Sequence, residues 1–393
     1  MPPQDPPSQE RLTVLHVSQP VDGGIARVVA GLVRSQVAAG LRVVVAAPPG
    51  GTLHAEAATA GAEVVLWHAR GTLGSALSAS RRLARLVRHT GPHLVHVHGA
   101  RAGFVARRAV RGRIPTVHQP HCWPFEAVGG LLARTAPVWE RRAARWTHRM
   151  LCVSEAQRTR GTAAGVAGRW VVIPNGVDLR RFSPTDDETR EILRTSLPAL
   201  RGTVPAGAPL VVCVARLCPQ KGQSTLLRAW PAVATKVPDA RLVLVGDGPD
   251  LAALRRAAPP GVLFAGAADS PVPWYRAADL VVVPSRWEGM ALVPLEAMAC
   301  GRAVVLSDVG GARECLPAGA DDDCLVPPDD PAALARAVSA LLTDADRRAA
   351  LGERLRDHVR MAHDGRRTAG AVLNLYRELL AVPPALALAR GGR

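Results

Sequence analysis

Short apolar runs alternate with longer Ala/Arg/Leu stretches of helical period along nearly the whole chain. Runs at 13–18, 42–47, 63–67, 94–98, 116–118 and 150–154 predict one series of strands. A second series is predicted at 210–215, 241–246, 262–266, 280–284 and 303–307. Most are continuously apolar instead of alternating, the pattern of strands covered on both faces. Helices are predicted between them, among others at 25–38, 77–88, 131–145, 225–234 and 331–342. Strand–helix repetition of this kind implies parallel sheets with right-handed crossovers.

The series breaks once, at 178–207, where Pro184, Thr185, Asp186, Asp187, Pro198 and Pro205 give linker composition and no strand. The pattern therefore predicts an α/β chain of two doubly wound, Rossmann-like domains facing across a cleft. Their expected bounds are 1–183 and 208–365, with a linker at 184–207 and a C-terminal helix at 366–393 that packs back on the first domain. Ligands of such sheets bind beyond the carboxyl ends of the strands, so the candidate chemistry belongs in the loops there.

Composition narrows the function. Of 393 residues, 48% are hydrophobic and 21% charged, which is globular and not disordered. Seven cysteines, an odd number without a CxxC pair, argue against a disulfide framework or zinc ribbon and for a reducing cytosol. No apolar run approaches the roughly 20 residues of a spanning helix. The proline-rich start MPPQDPPSQE does not read as a signal peptide. The expected location is cytoplasmic, with the inner face of the plasma membrane as the alternative.

The net charge of +16 is almost all arginine; Lys221 and Lys236 are the only lysines. The excess reads either as GC-rich coding bias or as attraction to an anionic partner. Nucleic acid is not expected, because with 4% aromatic residues the chain lacks stacking platforms. Arg81, Arg82, Arg85 and Arg88 form a basic amphipathic helix, and Arg101, Arg107, Arg108, Arg111 and Arg113 a further basic set. These fit an ordinary surface or an anionic membrane surface.

Three loops carry candidate chemistry. Gly23 and Gly24 precede a helix, where backbone can approach a phosphate or sugar; a plain tight turn is the alternative. Arg216 and Lys221 flank a loop at the end of the first strand of the second domain, a pair suited to clamping a diphosphate. Among so many arginines, a retained Lys221 points to a site that demands an ammonium. Glu288 and Glu296 lie before and within the next helix, in an apolar setting where solvated carboxylates are out of place. They can accept hydrogen bonds from sugar and ribose hydroxyls, with amides of Gly289, Met290, Ala291 and Leu292 available to phosphate oxygens.

These residues resemble the retaining glycosyltransferases of family 4, with the GT-B fold. The resemblance also covers Val153-Ser154-Glu155, Ile173-Pro174-Asn175-Gly176-Val177-Asp178, Gly246-Asp247-Gly248-Pro249, Gly310-Gly311 and Glu314. It implies metal-independent transfer from a nucleotide sugar, UDP- or GDP-linked, to a glycan, lipid-linked or small-metabolite acceptor. No well-placed carboxylate nucleophile is evident in the first domain, so same-face attack assisted by the leaving diphosphate is expected over a covalent double displacement. Arg216 and Lys221 would hold the diphosphate, Glu288 the donor-sugar hydroxyls and Glu296 the ribose diol. Gly24, beside Gly23, would meet the distal phosphate, and Gly246 belongs to the donor side. His118 would lie near the donor sugar, with Arg27, His98 and His121 on the acceptor side. No cofactor or metal is expected. His93, His96 and His98 read as packing or a cleft rim, and Asp321, Asp322 and Asp323 as a solvated turn. The alternatives are a non-catalytic sugar-nucleotide-binding protein and, from another class, a basic nucleic-acid-binding protein.

Overall fold

The computed structural model describes residues 11–68, 73–127, 130–205 and 207–381. Chain contacts divide it into two compact units. The first comprises the chain up to Cys152, Arg158–Ile173 and the residues from Ala369 on; the second comprises Val153–Gln157 and Pro174–Thr368.

Unit 1 holds seven strands: β1 (Thr13–Ser18), β2 (Arg42–Ala47), β3 (Glu63–Leu66), β4 (Leu94–His98), β5 (Thr116–Gln119), β6 (Arg149–Cys152) and β7 (Trp170–Val172). Their order is β3-β2-β1-β4-β5-β6-β7, and all pairs are parallel. Unit 2 holds β8 (Leu210–Val214), β9 (Arg241–Val245), β10 (Val262–Gly266), β11 (Leu280–Val283), β12 (Ala303–Ser307) and β13 (Leu325–Val326). They run β10-β9-β8-β11-β12-β13, again parallel throughout. Each order reverses beside its first strand, between β1 and β4 and between β8 and β11. These are the topological switch points where doubly wound sheets bind ligands. The expected fold class is therefore the one observed.

The continuously apolar runs are the central strands: Leu210, Val211, Val212, Leu280, Val281 and Val282 are fully buried. Each such side chain contributes roughly 1.5–3 kcal/mol over an exposed one. Helix Gly23–Ala38 covers one face of the first sheet through Ala26, Val29, Ala30 and Val33, packed on Val43 and Val45.

Four segments differ from the sequence pattern. The strands β7 and β13 are only 3 and 2 residues long, too short to show a period. The run predicted to Ser154 ends as a strand at Cys152. The next residues join unit 2, where Glu314 accepts the backbone N–H groups of Glu155 and Ala156 at 2.7 and 2.8 Å. The segment expected as a linker contains the helix Asp187–Ser196, capped by Asp186, whose carboxylate accepts the Thr189 N–H at 2.7 Å. Arg190 and Arg194 tie that helix to half-buried Asp279. Burial would raise the Asp279 carboxyl, but the two guanidiniums outweigh it and hold it below its ordinary value. At the other end of unit 2 the chain enters helix Gly365–Ala381, whose Val372, Leu375, Tyr376 and Leu379 pack with Val14, Leu94 and Val117 of unit 1.

Candidate functional site

In unit 2 the loops after β8, β9 and β11 are neighbours because their strands are. The β8 loop runs through Arg216 to a single 3-10 turn, Pro219–Lys221, and then helix Gln223–Lys236. It is stitched to the β11 loop by the Arg286 N–H on the Gln220 carbonyl at 2.8 Å and by Gln220 Nε2 on the Trp287 carbonyl at 3.0 Å. Gly222, at φ +63°, lies so close to Pro284 that a Cβ there would sit 1.9 Å from its carbonyl oxygen. Gly246, at φ +143°, makes the same approach from the β9 loop, 2.0 Å from the Ala215 oxygen. Glycine is required at both positions by sign of φ and by space.

This stitching brings Lys221 and Glu288 into a direct ion pair. The Ser285 hydroxyl donates to the same Glu288 oxygen at 2.9 Å. Both charged side chains keep some exposure, 22% for Lys221 and 13% for Glu288. Arg216 is exposed, and its guanidinium makes no ion pair among the described residues. Its carbonyl is held by Gln223 Nε2 at 3.0 Å. A fixed cation, a loose cation and a carboxylate thus share one edge of the sheet.

Beyond Glu288 the chain turns into helix Leu292–Ala299. The Gly289 carbonyl accepts from the Gly311 N–H at 2.6 Å and from the Ser154 hydroxyl at 3.1 Å. The Met290 carbonyl accepts from Asn175 Nδ2 at 2.8 Å. Met290 and Leu292 point their side chains into the core, so what they offer a ligand is backbone. Ser285, Glu288, Ala291, Ser307 and Cys315 line a small pocket at this end of the sheet. Glu296 is buried at 1% exposure and accepts the Tyr275 hydroxyl at 2.8 Å. Burial pushes the Cys315 thiol far above its ordinary value, so it is not a nucleophile.

In unit 1 Gly23, at φ +77°, and Gly24 open helix Gly23–Ala38 and are exposed; Arg27 follows one turn later, half-buried. The histidines are arranged differently from the sequence expectation. His93 stands apart and accepts the Thr13 N–H at 3.0 Å. The β1–β4 register instead sets His16 against His96, with His98 two residues on. All three rings are fully buried, and each offers a nitrogen within 4.8 Å of the other two, the set in the described chain best placed to hold a cation. His16 Nδ1 meets His98 Nε2 at 2.9 Å and His96 Nδ1 meets the Tyr376 hydroxyl at 2.6 Å, while His96 Nε2 has no hydrogen-bond partner among the described residues. His121 continues the cluster, its Nε2 at 3.2 Å from His98 Nδ1. Burial holds His121 neutral down to about 3 and His16 to about 4.

His118 is not brought to a surface. It lies at 0% exposure beneath helix Ala100–Val110, where a Cβ on Gly103 would be 2.5 Å from its ring. Its Nε2 is 4.0 Å from Glu140, which is paired with Arg107 at 2.8 Å. Arg107, expected on a basic surface, is instead the buried half of this pair. Arg81, Arg82, Arg85 and Arg88 are exposed on helix Leu73–Thr90. Asp321 and Asp323, read as a solvated turn, form a one-turn helix and pair with Arg313 and Arg347.

Sequence reading missed His16, Gln36, Tyr275 and Tyr376. A signal for two of them exists: the chain has only two tyrosines, and each places its hydroxyl on a buried carboxylate or imidazole. Among the described residues no helix is long and apolar enough to cross a membrane.

The pattern of Glycosyltransferase Family 4 matches residues 22–181, and that of Glycosyl transferases group 1 matches residues 208–344. The D-inositol 3-phosphate glycosyltransferase of Kineococcus radiotolerans is 32% identical, over 74% of this chain and 73% of its own. The GDP-mannose-dependent alpha-(1-6)-phosphatidylinositol monomannoside mannosyltransferase of Mycolicibacterium smegmatis is 35% identical, over 64% of this chain and 66% of its own. The chain spans half to two thirds of the length of the mannosyltransferase relatives it matches. In fold it is similar to Anabaena HepE in complex with UDP-glucose, with a TM-score of 0.80 at 22% identity, covering 94% of this chain and 100% of that one.

Proposed function

The chain belongs to glycosyltransferase family 4, and from that membership we propose that it transfers a sugar from a nucleotide donor to an acceptor hydroxyl. The reaction retains configuration and uses no metal. The observation that carries this reading is the joining of the β8 and β11 loops at the switch point, with Lys221 locked to Glu288 and Arg216 beside them. Negative charge grows on the departing diphosphate, and preorganised cations stabilise charge where it develops. Lys221 has three N–H donors. One engages Glu288; the others serve a phosphate oxygen, while Glu288 accepts a donor-sugar hydroxyl. Glu296, oriented by Tyr275, takes the ribose diol, and the backbone of 289–292 meets phosphate. In unit 1 Gly23 and Gly24 open a helix whose start suits a phosphate group.

The donor is GDP- or UDP-linked, in line with the GDP-mannose-dependent relatives and the UDP-glucose complex. The acceptor is a glycan, lipid-linked or small-metabolite hydroxyl, and inositol-containing acceptors lead the screen because two relatives are named for them. The protein works in the cytoplasm, and the exposed arginines of helix Leu73–Thr90 suit a visit to an anionic membrane surface. Thermal shift with GDP-, UDP- and ADP-sugars tests the donor. Transfer assayed with and without a chelator, and the anomeric configuration of the product by NMR, test the rest. An inverted product or loss of activity on chelation overturns the mechanism; stabilisation by no nucleotide sugar overturns the function. Vesicle co-sedimentation that is the same with neutral and anionic lipid overturns the membrane reading.

A further inference from the structure

The buried histidines of unit 1 form one hydrogen-bonded relay whose polarity can be worked out. Gln36 Nε2 donates to the Tyr376 hydroxyl at 3.3 Å, which leaves Gln36 Oε1, an acceptor only, against His16 Nε2 at 2.8 Å. His16 therefore carries its proton on Nε2, and, being neutral, presents a bare Nδ1 to His98. His98 must donate from Nε2 across 2.9 Å and in turn presents a bare Nδ1 to His121. His121 donates from Nε2 across 3.2 Å, and its own Nδ1 is left as an acceptor with no partner among the described residues. A side branch joins it: the Tyr376 hydroxyl, accepting from Gln36, lies 2.6 Å from His96 Nδ1, and either group can donate to the other. His96 Nε2 has no hydrogen-bond partner among the described residues, and burial and the neighbouring rings keep the ring neutral.

His121 is also the strained residue of this loop. At φ +62° it is one of three non-glycine residues with positive φ among those described. The Cys122 N–H bonds the Pro120 carbonyl at 2.8 Å, so His121 is the centre of a three-residue turn with positive φ, a rare and strained form. Strain of this kind persists where the surroundings hold a side chain for a purpose. A ring that stays neutral to about 3 is a poor base but a fixed lone pair.

We propose that the relay Gln36–His16–His98 locks His121 in its Nε2–H tautomer, so that His121 Nδ1 accepts the hydrogen bond of the acceptor hydroxyl and orients it. His121 is the group that touches the acceptor; Gln36, His16 and His98 are positioning residues. This rests on the glycosyl-transfer reading above for the acceptor, and on the hydrogen-bond pattern alone for the tautomer.

The two parts are tested separately. In full-length protein labelled with 15N-histidine, long-range ring 1H–15N correlations report each tautomer near pH 7, with single His→Gln variants to assign signals. Nε2–H is expected for His16, His98 and His121. A reversed Gln36 amide would reverse every donor, and an Nδ1–H or charged His121 overturns the proposal without any assay of activity. Gln36→Leu should then give His121 a mixture of tautomers. It should raise the acceptor KM about tenfold, the scale of one hydrogen bond, with donor KM and nucleotide-induced thermal shift unchanged. Gln36→Glu keeps the accepting oxygen and should restore both readouts. If transfer occurs and Gln36→Leu moves neither the tautomer nor the acceptor KM, the relay has no such role. If no acceptor is glycosylated, the acceptor role of His121 falls with the proposed function, and the tautomer result stands by itself.

Discussion

Gly222 joins the two loops of the proposed donor edge, and replacing it with alanine is the sharpest test of that edge. Two costs follow. At φ +63° an L-residue pays roughly 1–2 kcal/mol for the left-handed conformation. The added Cβ would also stand 1.9 Å from the Pro284 carbonyl oxygen, which is backbone and cannot rotate away. Relieving that overlap requires the loops to separate by about 1 Å, an overpacking cost of about 1–3 kcal/mol. Together about 2–5 kcal/mol is expected for Gly222→Ala, or a loss near 6–12 °C in the unit 2 transition for a mid-range 3 kcal/mol. Gly202→Ala is the control: φ is +69°, yet nothing lies within 4 Å of its Cβ, so only the first cost applies. Thermal unfolding of both variants, followed by calorimetry, separates the terms. Nucleotide-sugar turnover should fall about a hundredfold in Gly222→Ala, since a 1 Å shift of Lys221 against Glu288 misplaces the clamp. Equal melting temperatures for the two variants would refute the packing of these loops.

Arg216→Ala and Lys221→Ala should each lower kcat by about 10²–10³ with an unchanged melting temperature, measured by donor-saturated transfer. Glu140→Gln should cost about 3–5 kcal/mol because it strands the buried Arg107 guanidinium, and Arg107→Met with Glu140→Leu should cost much less; urea midpoints compare them. Unit 1 should weaken with acid. Folded His16 titrates near 4 and His121 near 3, below an unfolded value near 6.5, so the unfolded chain takes up protons first and stability falls as pH drops below 6.5. The slope is about 1.4 kcal/mol per pH unit for each such ring, and His16→Gln should reduce it in denaturant titrations between pH 7.5 and 5.

What could be read from the sequence is what short-range physics dictates. Continuous apolar runs of four to six residues are visible without any partner, and both sheets follow from them. Lys221, Glu288 and Glu296 stood out because their charge conflicts with composition or with an apolar neighbourhood. What could not be read depends on register and on distant partners. His16 joins His98 across 82 positions, and His96 meets Tyr376 across 280. A histidine on a strand gives no hint of which ring faces it, so His93 was grouped with His96 while His16 was overlooked. Helix Asp187–Ser196 was hidden for another reason. It is held by Arg190 and Arg194 on Asp279 in addition to apolar contacts, and its acidic, proline-flanked start has linker composition.

The Lys221–Glu288 pair of unit 2 and the buried histidine cluster of unit 1 treat charge in opposite ways, and the proposed glycosyl transfer gives that contrast a reason. In unit 2 Lys221 is held in an ion pair with Glu288, so in the proposed reaction its position is set before a diphosphate arrives. Fixed charge of that sign helps only beside the leaving group, where negative charge accumulates. The sugar itself becomes oxocarbenium-like and positive, and a second cation on the acceptor side would oppose it. In unit 1 every histidine of the buried cluster is pushed below its ordinary value, first by burial and then, for His96 and His98, by the rings around it. Four imidazoles packed together could not each carry a proton at such burial. A cluster of neutral, buried histidines thus fits the proposed role of His121 toward an uncharged hydroxyl, because it adds no positive charge. A histidine there that proved to be protonated at neutral pH would break this division, whatever its hydrogen bonds.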